Sequence, residues 1–108
     1  PGLPELRELI ADELERDGMR YDPDGEVIVT CGSIEAVTAT LLASVEAGDE
    51  VIVVSPTYAS YIPAVRLTGA SPRFVALNED ANYPLDAESS EAAVKRRTRD
   101  ILISNPNN

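Results

Sequence analysis

The sequence predicts an α/β fold of three layers, a mainly parallel sheet with crossover helices. Three observations predict it. Short apolar runs alternate with stretches of helical spacing, the runs are apolar throughout rather than at every second residue, and turn residues separate them. Strands buried on both faces read as continuous apolar runs, and parallel neighbours need a crossover between them that is usually a helix.

The elements follow in order. Leu6, Leu9, Ile10 and Leu14 recur at the three-and-four spacing of an amphipathic helix, with Pro4 suited to its first turn and Gly18 to its end. Asp22-Pro23-Asp24-Gly25 is a turn by residue chemistry, Pro fixing one backbone angle and Gly supplying a positive one. Glu26 to Thr30 (EVIVT) is a β-branched run that reads as a buried strand. Helical spacing returns from Ser33 to Val45 through Ile34, Val37 and Leu41, and Ala47-Gly48-Asp49-Glu50 closes that helix. Val51 to Val54 (VIVV) is the second strand, broken by Ser55-Pro56-Thr57. A short helix is expected from Ala59 to Leu67 despite Pro63, then a strand over Pro72 to Leu77 after Gly69-Ala70. Asn78 to Tyr83 is polar and loop-like, and Asp86 to about Arg97 reads as an exposed helix. Asp100 to Ser104 (DILIS) is the fourth strand. The openings of the first two strands look alike, but the residues around them do not match, so they are not a repeat.

The chain has 108 residues, 44% of them hydrophobic, which suits one domain over residues 1–108 with a modest core and no internal boundary. Nineteen acidic against nine basic residues give a net charge of -10, which argues against nucleic acid or an anionic membrane surface as partner. No apolar run is long enough for a membrane span. One cysteine excludes an internal disulfide framework, and the absence of histidine excludes imidazole-based metal sites and triads, so no metal is expected. An acidic surplus with eight arginines and a single lysine, Lys95, resembles salt-adapted proteins. The opening Pro1-Gly2-Leu3-Pro4 shows no initiating Met or signal-peptide pattern, and Ile103 to Asn108 stops where a loop should lead onward. Both ends therefore read as cut rather than finished, and a cytoplasmic location is expected.

Three places could carry chemistry. Thr30-Cys31-Gly32-Ser33-Ile34-Glu35 joins a strand to a helix, and a helix start attracts phosphate through its outward N–H groups and partial positive charge. Gly32 permits close backbone approach and Ser33 offers a hydroxyl, although the same residues also fit an ordinary turn and N-cap. The glycine spacing is neither a dinucleotide fingerprint nor a P-loop. Cys31 lacks a histidine base and reads as a small buried residue at a strand end. Lys95 lies in the solvated cluster Lys95-Arg96-Arg97, where nothing would depress its pKa, and is not read as catalytic. The second place, Ser55 to Tyr61, follows a strand, where open α/β sheets gather ligands; Tyr58 could present a flat face and Tyr61 a hydroxyl, or both could pack as core. The third, Asn105-Pro106-Asn107-Asn108, is by itself a turn.

Taken in order, Gly2-Leu3-Pro4-Glu5-Leu6-Arg7, Val29 to Ala36, Gly48-Asp49-Glu50-Val51, Ser55 to Tyr61, Asn82-Tyr83-Pro84-Leu85-Asp86 and Asn105 to Asn108 resemble the fold-type I pyridoxal-phosphate enzymes, the class I/II aminotransferases. The resemblance covers essentially the whole chain and matches part of the large, cofactor-binding domain. It implies pyridoxal 5'-phosphate as cofactor, an amino acid and a 2-oxo acid as substrates, and a homodimer. It places Gly32, Ser33 and Ile34 at the cofactor phosphate, Tyr58 on the pyridine ring and Asn108 at the ring hydroxyl. The family's cofactor-bearing lysine has no counterpart in this chain, so a catalytic residue is not expected and the chain alone is expected to be inactive. By the family's topology only the second and third strands would be neighbours, leaving the first and fourth unpaired. The alternative is a small non-catalytic α/β module that binds a phosphorylated ligand or a partner protein.

Overall fold

The computed structural model describes residues 1–77 and 91–106. The expected loop from Asn78 to Tyr83, the start of the expected helix at Asp86, and Asn108 lie outside the described residues. The chain divides into two compact units, Pro1–Ala36 and Val37–Asn108.

In the first unit, helix α1 (Pro4–Arg16) begins on Pro4, whose missing N–H costs nothing in a first turn. It ends at Gly18, with φ +83°, where the Gly18 and Met19 N–H groups donate to Glu15 and Leu14 carbonyls (both 3.0 Å). Arg7 is buried on this helix, its guanidinium donating to the Pro23 carbonyl and standing 3.1 Å from Asp24 Oδ1. It thereby ties α1 to the predicted turn. That turn does not use the positive φ expected of Gly25. Side chains close it instead: Asp22 Oδ1 accepts the Asp24 N–H (3.1 Å), while Glu26 Oε2 accepts the Asp22 N–H (2.8 Å).

Glu26 to Thr30 is not a strand. Ile28 is 68% exposed, and the Val29 N–H donates to the Pro1 carbonyl (2.8 Å) rather than to a ladder. β-branched residues favour the extended shape, but a strand exists only where a neighbour supplies the ladder. Among the described residues no strand pairs with this run, and without a ladder it is not a strand.

Helix α2 (Ser33–Ser44) carries the chain into the second unit, which contains β1 (Glu50–Ser55), α3 (Tyr61–Leu67), β2 (Ser71–Ala76) and β3 (Thr98–Leu102). Helix α3 starts two residues later than expected, which places Pro63 in its first turn, where no intrahelical N–H is needed. The three strands form a parallel sheet of order β2-β1-β3, with Val53 opposite Phe74 on one side and Leu102 on the other. The fourth strand therefore has a partner, contrary to the expectation. Strand β1 offers a full row of N–H and C=O groups on each edge, and β3 takes the one that β2 leaves open. It also begins at Thr98, two residues early, because an edge strand tolerates the half-buried Thr98 and the exposed Arg99.

Val51, Ile52 and Val53 are fully buried in the central strand. Leu41, Val45, Val51, Val53, Ala64, Val65 and Ala70 make one core cluster, with Val37 and Leu102 packed against it. Burying each such side chain contributes roughly 1.5–3 kcal/mol, so β1 is the element that anchors this unit. Across β1 and β2 the Arg73 guanidinium forks onto the Glu50 carboxylate at 2.7 and 3.0 Å. The expected helix ending near Arg97 stops at Ala93; the chain then turns, with the Lys95 N–H donating to Thr98 Oγ1 (2.8 Å) in place of a helical carbonyl.

Candidate functional site

Gly32, Ser33 and Ile34 stand together at the start of α2, all of them solvent-accessible. The loop before the helix is fixed from both sides of Gly32. The Gly32 N–H donates to the Thr30 carbonyl (2.9 Å), and the Thr30 hydroxyl donates to the Gly32 carbonyl (2.9 Å). Glu35, one turn into the helix, accepts the Cys31 N–H on its carboxylate. An acidic side chain in the first turn suits the positive end of the helix, as a bound anion would. Gly32 has φ +88°, in the left-handed region that a side chain disfavours. A Cβ built there would meet nothing within 4 Å, so the space beside its Cα is open. Cys31, expected to be buried, is exposed. With no strand before it, the residue has no sheet to pack against.

This geometry fits a phosphate monoester. A glycine in the left-handed region, an accessible hydroxyl at Ser33 and a helix start lie together on one short segment, an arrangement able to receive an anion. Sequence reasoning singled out Gly32 and Ser33 but missed the bracing roles of Thr30 and Glu35. The Gly-x-x-Glu spacing, a variant of the capping box, is the signal that could have revealed the second of these.

Tyr58 belongs to the other unit and follows the carboxyl end of β1. It is 44% exposed and meets the Tyr61 ring edge-on, with centroids 5.6 Å apart and planes at 80°. The Tyr61 N–H donates to the Tyr58 carbonyl (3.0 Å), so the same turn that starts α3 sets the Tyr58 backbone. Thr57 Oγ1, just before it, is buried without a hydrogen-bond partner among the described residues. Residues 103–106 leave the carboxyl end of β3, the parallel neighbour of β1, so both segments emerge from the same edge of the sheet. Lys95 is exposed, and its Nζ donates to the Ala92 carbonyl (3.3 Å). Among the described residues no group of three or more Cys, Asp and Glu side chains is placed to hold a metal.

The sequence model of the family described as aminotransferase class I and II matches residues 1–108. An Escherichia coli methionine aminotransferase is 38% identical over 108 residues, covering 99% of this chain and 28% of that protein. A Pyrococcus abyssi aspartate aminotransferase is 35% identical with the same coverage. Among solved structures, the N-succinyldiaminopimelate aminotransferase of Mycobacterium tuberculosis superposes with a TM-score of 0.95 at 43% identity, covering 100% of this chain and 29% of that one. The chain thus spans about 28% of the length of the curated relatives it matches.

Proposed function

We propose, from the fact that this chain belongs to the aminotransferase class I and II family, that it forms part of a pyridoxal-phosphate-dependent aminotransferase and supplies the loop that holds the cofactor's phosphate. When bound, that cofactor supplies the electron sink through which an amino group leaves an amino acid and passes to a 2-oxo acid. The residues of this chain bind and orient. The backbone around Gly32, Ser33 and Ile34 and the Ser33 hydroxyl take the phosphate oxygens, with the α2 dipole favouring their charge. Tyr58 offers its ring to the face of the pyridine, and Asn108 is assigned to the ring hydroxyl. Covalent attachment falls to a lysine outside these 108 residues, since Lys95 is the single lysine and stands in an arginine-rich turn. The partners of the whole protein are an amino acid, a 2-oxo acid and a second copy in a homodimer, and its place is the cytoplasm.

The observation that carries this reading is the open, positive-φ glycine at the α2 start within a chain whose whole length matches the family. Thermal denaturation tests it. Pyridoxal 5'-phosphate raises the melting temperature, pyridoxal without its phosphate does not, and Gly32→Val removes the effect. A melting temperature that ignores the cofactor in the native chain contradicts the reading.

A further inference from the structure

Four of the nine cationic side chains fall within five positions: Lys95, Arg96, Arg97 and Arg99. In a chain of net charge -10 that concentration runs against the overall field. The fold then adds geometry. The turn from Lys95 to Thr98 is closed by the Thr98 N–H on the Lys95 carbonyl (3.0 Å) and the Lys95 N–H on Thr98 Oγ1 (2.8 Å). It presents Arg96 and Arg97 at its tip, and Arg99 follows on β3. The three guanidiniums line an open cleft of about 280 Å³ whose floor is Ala47, Gly48 and Asp49.

Two of them are held in place. Arg97 Nη1 donates to the Gly48 carbonyl (3.2 Å). Arg99 Nε is 3.5 Å from Asp49 Oδ2, an oxygen that also accepts the Glu46 N–H (3.0 Å). Arg96 has no hydrogen bond or ion pair among the described residues. The acids next to the cleft are already engaged: Glu50 by Arg73, Asp100 by the Ser44 hydroxyl, Asp49 by Arg99. Glu46 is the one carboxylate nearby without such a partner among the described residues. A guanidinium has five donors in a planar fork, so most donors of the three remain for a ligand. Phosphate oxygens are the acceptors that such forks match best.

We propose that this cleft is a second phosphate-binding site, distinct from the Gly32 loop, that takes a diphosphate group. Its volume is several times the roughly 30 Å³ share of one water, which suits a diphosphate better than a monatomic anion. The diphosphate comes from free pyrophosphate or from a nucleoside diphosphate; the two share the chemistry and are separated by experiment. The inference does not depend on the aminotransferase reading.

Titrating the ¹⁵N-labelled chain with sodium pyrophosphate, and separately with ADP, at constant ionic strength tests it. The expected result is a saturable shift of the Gly48, Asp49, Arg97 and Arg99 amides. Arg96→Gln weakens it about tenfold or more, the worth of a charge-assisted hydrogen bond. Because Arg96 makes no hydrogen bond or ion pair among the described residues, this variant is expected to leave stability unchanged, and Gly32→Val leaves the titration unchanged. Equal affinity for both ligands identifies the diphosphate as the whole determinant; tighter binding of ADP identifies a nucleotide as the source. Shifts that do not saturate, or that Arg96→Gln leaves intact, overturn the proposal.

Discussion

A glycine's worth depends on what surrounds it, and two positions show this. Gly69 has φ +83°, and a Cβ there would stand 2.9 Å from Ala47 Cβ and 3.2 Å from its Cα. Gly69→Ala therefore combines backbone strain with a clash that no side-chain rotation relieves, and costs about 1–3 kcal/mol. Gly32→Ala carries backbone strain alone, about 1–2 kcal/mol, because nothing stands within 4 Å of its Cβ position. Urea unfolding of the two variants should rank them in that order. A second residue-scale prediction concerns pH. The Arg73 hydrogen bond is the main cause that holds the Glu50 carboxyl below its usual range, with the charges of Arg73, Lys95 and Arg97 acting the same way and desolvation opposing them. A carboxylate whose folded-state pKa is depressed stabilises the protein above its unfolded value, and that stability is lost as pH falls through the folded one. Acid titration of the melting temperature should show this loss, and Glu50→Gln should lower stability at neutral pH while shrinking the acid-dependent part.

At the scale of elements, two runs of similar chemistry had different fates. EVIV at 26–29 and EVIV at 50–53 are the same four letters, yet only the second is a strand. The difference lies in what pairs with them: β1 has β2 on one edge and β3 on the other, and no strand pairs with residues 26–29 among the described residues. A period of apolar residues is local information and was legible; a ladder partner is remote and was not. Truncations measure the contrast. Ile52→Ala, in the fully buried centre of β1, should cost about 2–5 kcal/mol, whereas Ile28→Ala, at an exposed position, should stay within about 0.5 kcal/mol. The same distinction explains the site. The loop of Gly32 and Ser33 was readable because a strand-like run, a glycine and a helix start lie consecutively. The arginine cleft joins Gly48 to Arg97 across 49 positions, so only the folded sheet brings it together.

For the whole molecule, the family match over residues 1–108 and the TM-score of 0.95 agree on one architecture, while the chain spans about 28% of its relatives' length. The chain therefore belongs to the aminotransferase class I and II family over its whole length. Among the described residues, no helix is long and apolar enough to cross a membrane. The central claim is that this chain holds a cofactor by its phosphate at the α2 start. Residue-resolved NMR of the ¹⁵N-labelled chain, titrated with pyridoxal 5'-phosphate and with pyridoxal, tests it most directly. The account predicts saturable shifts of the Gly32, Ser33 and Ile34 amides with the phosphorylated compound only. No response at those three amides, or a response confined to residues 96–99, would contradict it.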